Sequence, residues 1–387
     1  MKVGIVVPYS WSFWGGVVEH TDHQARALQE LGVETRTIIG HDPPGRLTQV
    51  LHPRSGRHGQ LPPDVIPVGR SVIVPANHSL PNIVLAPATM RRIRRVLERE
   101  RFDILHLHEP MTPAICVATL SIARVPMVAT FHASGELGWM KGGRWIWGFL
   151  MDRLDGRIAV SEQAKASAAR WLPGDYEIIP NGVVIPESAS AGDREHKFVF
   201  IGRQEQRKGL PILLRAWPEV YRQTGARLRL IGAEPLAVRL LMHRNHFSEE
   251  GVDVLGIVSE EVLTAELSSA RALVAPSLGG ESFGMVLTRA YACATPVVAS
   301  DIPGYREVFD ESAGIAFPPG DHEALARAMI EIVGDEERRR RLGESGRKLA
   351  SERYDWRDVG RRLLDFYERT IEQVRARERE QARAASA

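Results

Sequence analysis

The sequence predicts an α/β protein made of two doubly wound domains, each a parallel sheet flanked by helices. Three observations carry this. Short β-branched runs alternate with helical patterns along the whole 387-residue chain, the pattern of parallel α/β layers. Near the middle, a stretch rich in Pro, Gly, Ser and charge, "PNGVVIPESASAGDREHK", interrupts the alternation. A length prior of roughly 150 residues per domain allows two or three domains, each with enough chain for its own core.

In the first series, "KVGIVVPYS" precedes a helix from Val17 to Leu31, "ILHLHE" follows a basic helix, "VPMVATFH" comes next, and "GRIAVS" leads into a helix around Ala164 to Trp171. The second series runs "FVFIGR", helix Leu210 to Arg222, "RLRLIG", helix Ala237 to Asn245, "VDVLG", helix Glu260 to Ala270, "ALVAPS", the helix after "GGESFG", and "PVVAS". In open parallel sheets ligands sit beyond the carboxyl ends of the strands, so two such sheets facing each other would line a cleft with strand-to-helix loops. The region from "ERRRR" to "ARERE" reads as helical, with Trp356, Val359, Leu363, Phe366 and Tyr367 on one stripe and a tail of about a dozen residues expected to fray.

Fifty basic against 48 acidic residues give a formal charge of +2, so no chain-wide field favours nucleic acid. Cys116 and Cys293 lie in apolar runs and read as reduced core thiols of a cytoplasmic protein. Pro8 interrupts the first apolar run, which therefore reads as a buried strand and not a signal peptide. No run of about 18 apolar residues is present to span a bilayer.

Three loops after strands suggest chemistry. In "YSWSFWGGVVEH", Gly15 and Gly16 open a helix and let backbone amides approach an anion at its positive end, a tight turn being the alternative. In "GRQEQRKG", Arg203 and Lys208 can reach one diphosphate, Arg as a bidentate fork and Lys as a point charge, unless both are simply solvated. In "GGESFG", the amides of Ser282, Phe283 and Gly284 follow the carboxylate of Glu281, which accepts from sugar hydroxyls. A carboxylate repels phosphate, so two cations with one carboxylate suit a sugar carried on a diphosphate. "HLHEP" and "TFH" place His106, His108, Glu109 and His132 at strand ends. His106 and His108 share a strand face, but no third ligand stands at a recognisable spacing, so no metal site is expected.

Taken in order, "VVPYS...GGVVEH", "FDILHLHEP", "VATFHAS", "RIAVS", "IPNGV", "GRQEQRKG", "GGESFG" and "TPVVASD" closely resemble the retaining glycosyltransferases of family 4, and within them the bacterial phosphatidylinositol mannosyltransferases. The resemblance implies the GT-B architecture, two Rossmann-like domains facing a cleft. Residues 1–185 would form the acceptor and membrane side, 186–197 a linker, 198–355 the nucleotide-sugar donor side, and 356–387 a helix returning to the first domain with a frayed tail. By resemblance, the Gly16 amide meets the donor phosphate, His132 stands beside the reaction centre, Arg203 and Lys208 neutralise the diphosphate, and Glu281 holds the donor sugar. The implied donor is GDP-mannose, with transfer by front-face attack and no protein nucleophile. No cofactor is implied; any Mg2+ would travel with the diphosphate, without a protein site.

The chain departs from the family pattern at Arg289, where a second glutamate usually accepts from the ribose. Arginine has no acceptor lone pair, so any donor contact there must be of another kind. Ala76 and Asn82 likewise stand where the phosphatidylinositol enzymes tend to carry an aromatic residue and an arginine.

In "APATMRRIRRVLERERFD", Met90, Ile93, Val96 and Leu97 fall on one helical stripe beside Arg91, Arg92, Arg94 and Arg95. These four arginines are expected to meet an anionic membrane surface at the inner face of the plasma membrane. Trp11, Phe13, Trp14, Trp139, Trp145, Trp147 and Phe149 suit either the core or the bilayer interface. The expected function is hexose transfer to a hydroxyl of a phospholipid head group such as phosphatidylinositol. A soluble family 4 enzyme with a small-molecule acceptor and a non-catalytic nucleotide-sugar-binding relative remain as alternatives. A nicotinamide oxidoreductase is disfavoured because G-x-G-x-x-G is absent.

Overall fold

Two parallel sheets whose central strands are buried on both faces organise the computed structural model, which describes residues 1–13, 15–52, 61–73, 82–84, 88–132, 144–187, 189 and 193–386. Trp14, Ala76 and Trp139 lie outside the described residues, as do the side chains of Trp145 and Trp147. The chain divides into two compact units, one comprising Met1–Gly182 with Trp356–Ala387 and the other Val183–Asp355.

The first unit runs β1 (Lys2–Ser10), α1 (Gly16–Glu30), β2 (Glu34–Gly40), α2 (Arg46–Leu51), β3 (Val65–Gly69), β4 (Ser71–Ile73), β5 (Asn82–Val84), α3 (Thr89–Glu100), β6 (Ile104–His108), α4 (Ile115–Ile122), β7 (Met127–Phe131), α5 (Arg144–Met151), β8 (Gly156–Ala159), α6 (Glu162–Ala169) and β9 (Glu177–Ile178). Its sheet has the order β3-β2-β1-β6-β7-β8-β9, parallel throughout, with β5 antiparallel to β1 and β4. The order reverses between β1 and β6, the topological switch point of a doubly wound sheet. β1, β6 and β7 are almost wholly buried, which is why they read as continuous apolar runs and not as alternating ones.

The second unit runs β10 (Glu195–Ile201), a 3-10 turn (Gln206–Lys208), α7 (Leu210–Thr224), β11 (Arg227–Ile231), α8 (Pro235–Arg244), β12 (Val252–Gly256), α9 (Glu260–Ser269), β13 (Ala270–Ala275), α10 (Met285–Ala292), β14 (Val297–Ser300), α11 (Pro303–Arg306), β15 (Gly314–Phe317), α12 (His322–Gly334) and α13 (Glu336–Arg353). All its pairings are parallel, in the order β12-β11-β10-β13-β14-β15, with the reversal between β10 and β13. Its core gathers Phe198, Phe200, Leu213, Trp217, Leu230 and Met329 between the sheet and the helices.

The helical region near the end is two helices. It breaks at Tyr354, whose carbonyl accepts from the Val183 amide at 2.7 Å while Asp355 bridges to Val183. α14 (Trp356–Ala385) then returns to the first unit and packs beside α1. It buries Trp356, Val359, Leu363, Phe366 and Tyr367, the expected stripe. The tail expected to fray is helical as far as Ala385, in keeping with a run of Ala, Arg, Glu and Gln, all strong helix formers.

α3 buries Thr89, Ile93 and Val96 against the β6 side of the core. Met90 falls off the expected apolar stripe and is 44% exposed. Arg91, Arg92, Arg94 and Arg95 are exposed, and none makes an ion pair with a described residue. Phe149 on α5 is 73% exposed, whereas Trp11 is core. Among the described residues no helix is long and apolar enough to cross a membrane.

Two glycines of the second unit are imposed by close backbone approach. Gly209, at φ 70°, would place a Cβ 1.8 Å from the Pro276 carbonyl oxygen, and a Cβ on Gly304 would lie 1.9 Å from the Glu281 carbonyl oxygen. They let the loops after β10 and β13 and the start of α11 touch. Gly209→Ala should therefore cost about 2 kcal/mol or more and lower the thermal midpoint. Gly15→Ala, with no described residue within 4 Å of the added carbon, should leave the midpoint unchanged in differential scanning calorimetry.

Candidate active site

In the second unit the site is built on the switch point. The loop after β10 carries Arg203, Glu205, Arg207 and Lys208, and the loop after its neighbour β13 carries Ser277 and Glu281. A backbone hydrogen bond from Leu278 N–H to the Arg207 carbonyl, 2.7 Å, ties the two loops. Glu281 Oε1 lies 2.8 Å from Lys208 Nζ and 2.9 Å from Arg207 Nη1, and accepts from Ser277 Oγ at 3.3 Å. Ser277 Oγ is also 2.8 Å from the Tyr305 hydroxyl. Arg203 Nη2 pairs with Glu205 Oε1 at 2.8 Å, and Arg207 Nε with Glu205 Oε2 at 2.8 Å.

Three cations thus face two carboxylates, leaving one net positive charge in the cluster before any ligand arrives. Its pairs are mutually exchangeable, so a diphosphate can take the cations and release the Glu281 carboxylate. α10 begins just beyond, capped by Gly284 at φ 86° without a side-chain hydrogen bond. Phe283 is buried and meets Tyr354 edge-on at 5.7 Å, fixing the turn that Ser282 and Gly284 flank.

In the first unit the switch point lies between β1 and β6. Buried Asp42, just after β2, accepts from Ser10 Oγ at the end of β1 (2.7 Å) and from Ser71 Oγ (2.6 Å). Gly15 and Gly16 are exposed at the start of α1, and Gly15, extended at φ −155°, caps the helix without a side-chain hydrogen bond. Neither its dihedral nor any described neighbour requires glycine.

Four imidazoles gather near the ends of β6 and β7: His106 and His108 within β6, His132 just after β7 and His20 on α1. His108 Nδ1 lies 2.8 Å from His132 Nε2, and His106 stacks on His108 at 4.4 Å. His20 of α1 meets His132 edge-on at 4.7 Å. His106 Nδ1 is engaged by Gln24 and by Tyr367 of α14, and its Nε2 by Thr130 Oγ1. Burial, then the neighbouring His106, pulls His132 down to about 3, while burial and then His20 put His106 at about 3 as well. Burial also holds His20 and His108 well below 6.5. All four are neutral at pH 7, so His132 serves as a polar hydrogen-bonding group and not as a cation.

The missing third ligand is present in space, since His20, His108 and His132 bring ring nitrogens within 4.8 Å of one another. The 2.8 Å between His108 and His132 is nevertheless shorter than the span of about 3.3 Å between two nitrogens held 2.0–2.1 Å from a tetrahedral ion. The arrangement is that of a shared proton.

The family model "Glycosyltransferase Family 4" matches residues 14–185, and "Glycosyl transferases group 1" matches 195–335. The chain is 36% identical over 391 residues to phosphatidyl-myo-inositol mannosyltransferase of Mycobacterium tuberculosis, covering 95% of this chain and 97% of that one. It is 34% identical to the protein of the same name from Mycobacterium leprae, over 95% and 96%. The chain belongs to glycosyltransferase family 4. Sucrose-phosphate synthase from Thermosynechococcus elongatus has the same fold, with a TM-score of 0.75 at 19% identity over 96% of this chain and 99% of that one. So has Anabaena HepE in complex with UDP, at 0.69 and 17% over 95% and 100%. The two Rossmann-like domains are those of the GT-B class.

Arg289 of this glycosyltransferase reaches sideways, with Nη2 3.3 Å from Oε2 of Glu260, the first residue of α9. Burial pulls its guanidinium down to about 10 and pushes the Glu260 carboxyl up. Sequence reasoning passed over Arg207, Glu205 and His20. Arg207 was legible as the cation next to Lys208, and His20 as the imidazole four residues into the helix that Gly16 opens.

The neutral imidazoles set an acid limit. Below pH 6.5 the unfolded chain binds protons that the folded one refuses, down to about 3 at His106 and His132 and about 4 at His23. Their contribution is complete above pH 6.5 and is lost as pH falls, by roughly 1 kcal/mol per pH unit for each imidazole. Denaturant titrations should give a clearly lower midpoint at pH 5.5 than at 7.5; equal midpoints would contradict the neutral cluster.

Proposed function

We propose that this enzyme transfers mannose from GDP-mannose, with retention of configuration, to a hydroxyl of phosphatidylinositol at an anionic membrane surface. The observation that carries the reading is Glu281 held between Lys208 and Arg207 at a switch point. A lone phosphate would leave that carboxylate without a use, whereas a sugar on a diphosphate uses both signs. The names of the mycobacterial relatives, over 95% of the chain, supply the sugar and the acceptor.

In this reading the guanidinium of Arg203 and the ammonium of Lys208 turn to the diphosphate as charge builds on it, the main electrostatic contribution to rate. Glu281 then accepts from the sugar hydroxyls, and the amides of Ser282, Phe283 and Gly284 add donors at the positive end of α10. The amides at Gly15 and Gly16 meet a donor phosphate, which explains a glycine that the fold does not require. Neutral His132 hydrogen-bonds at the reaction centre, and the departing diphosphate takes the proton of the attacking hydroxyl. No metal step is needed in this scheme, and no residue is assigned to one. The Arg289–Glu260 pair leaves Arg203, Lys208 and Glu281 assembled, which favours an active enzyme over a binding-only relative.

The exposed arginines of α3, with exposed Met90 on the same helix, suit anionic lipid. Each basic residue contributes about 1 kcal/mol near such a surface.

Calorimetric titration with GDP, UDP and ADP tests the donor, and GDP is expected to bind most tightly. Radiolabel transfer from GDP-mannose to phosphatidylinositol in liposomes then tests the reaction. Glu281→Gln should lower turnover by about a hundredfold. Its affinity for GDP should be kept or increased, because Lys208 and Arg207 lose their internal counterion; weaker GDP binding would contradict the exchange. Replacing Arg91, Arg92, Arg94 and Arg95 together by Gln should abolish co-sedimentation with anionic liposomes, and unchanged sedimentation would remove α3 from the membrane contact.

A further inference from the structure

The cation cluster of the second unit holds two carboxylates, and only one of them has a use in binding the donor. Glu281 turns to the sugar when a diphosphate takes its partners. Glu205 has no sugar hydroxyl to accept from in that scheme, and a carboxylate repels phosphate. It is nevertheless firmly built in. Its side chain is only 15% exposed, with Oε1 2.8 Å from Arg203 Nη2 and Oε2 2.8 Å from Arg207 Nε. Its backbone is fixed as well, the N–H donating to the Arg203 carbonyl at 2.7 Å and the carbonyl accepting the Lys208 N–H at 2.9 Å. Arg203, 62% exposed, reaches outward from this anchor. A phosphate oxygen bonded to the same Arg203 nitrogen, at about 2.8 Å, stands within about 6 Å of the Glu205 carboxylate. Any diphosphate that Arg203 binds therefore meets a fixed negative charge next to it.

We infer that Glu205 is a release-promoting counterion, a positioning residue that acts through Arg203 to weaken the hold on the nucleoside diphosphate product more than the hold on the sugar donor. The inference rests on the proposed function for the identity of the donor. When the bond from the sugar carbon to the terminal phosphate breaks, its electron pair stays on the phosphate oxygen, which takes the proton of the acceptor hydroxyl. A terminal phosphate has its second ionisation near about pH 6, so at pH 7 most of that proton passes on to solvent. The product then carries nearly one more negative charge than the donor did, and the cations of the cluster hold it the more strongly. Glu205 opposes that added charge. It opposes the donor less, because the terminal phosphate of the donor is esterified and lacks the second ionisation. With a neutral side chain in its place, the charge of Arg203 goes to the product alone.

The test titrates GDP and GDP-mannose, without acceptor, into wild type, Glu205→Gln and Glu205→Asp in a calorimeter at pH 7.5. Glu205→Gln should bind GDP at least tenfold more tightly and GDP-mannose less than threefold more tightly. Glu205→Asp, which keeps the charge, should stay within threefold of wild type for both. Unchanged or weaker binding of GDP to Glu205→Gln overturns the inference, because the carboxylate would then serve only to hold Arg203 and Arg207 in place. An equal gain for both ligands overturns it too, since the added charge of the product must separate them. If Glu205→Gln fails to fold, Glu205→Ala takes its place under the same criteria. A wild type that binds neither GDP nor GDP-mannose sinks the donor reading instead. Inorganic pyrophosphate is then titrated into wild type and variant, where tighter binding to the variant supports Glu205 and equal, weaker or absent binding overturns it.

Discussion

Burying a parallel sheet on both faces leaves its strands nowhere to carry working polar groups except their ends. β1, β6, β7, β13 and β14 are buried almost throughout, so a polar side chain within them lies among apolar neighbours. His106 and His108 show what an exception requires. Each is fully buried, each is forced neutral, and each has its ring matched to other polar groups or stacked imidazoles. Elsewhere the chemistry sits on the loops at the carboxyl edges. Reversal of strand order keeps adjacent loops from crowding there, and Arg203, Lys208 and Glu281 in one unit and Gly15, Glu109 and His132 in the other occupy those positions.

In the loops after β10 and β13, Arg203, Glu205, Arg207, Lys208 and Glu281 each have a partner of opposite charge. Removing one partner of a desolvated pair leaves an uncompensated charge, which is why isolated carboxylates are not kept in half-buried clefts. Glu281 serves as the internal counterion of Lys208 and Arg207 until a ligand supplies its own anions. Gly209 and Gly304 hold this geometry sterically. Each closes a backbone-to-backbone contact around the Glu281 loop that no side chain could share. Recognition and stability thus draw on the same few residues.

The alternation of strands and helices was legible from the sequence because buried parallel strands and amphipathic helices differ in period and length. The loops followed from it, since their place after strands fixes which edge they occupy. What escaped was whatever depends on three-dimensional proximity. Arg207 looked like one more loop cation, and only the 3-10 turn shows that it shares Glu281 with Lys208. The His20–His108–His132 group joins a helix to two strands at separations that no motif spacing records. Met90 fitted the helical stripe of α3, but the stripe at that end of the helix faces out. Arg289 remained unexplained until the start of α9 came beside it, because its partner Glu260 is 29 residues away.

The return of α14 to the first unit has a consequence for how the polypeptide is made. A ribosome delivers Met1–Gly182 first, but the helix that covers α1 and hydrogen-bonds to His106 through Tyr367 emerges last, after the entire second unit. At roughly 5–20 residues per second, the interval between residue 182 and the end of α14 is on the order of ten seconds or more. During that time the apolar face that awaits Leu363, Phe366 and Tyr367 is open, and the imidazole cluster lacks one wall. Val183–Asp355, by contrast, is continuous and can close its own core while still tethered. The second unit can therefore complete its core before the first receives the helix that completes its own.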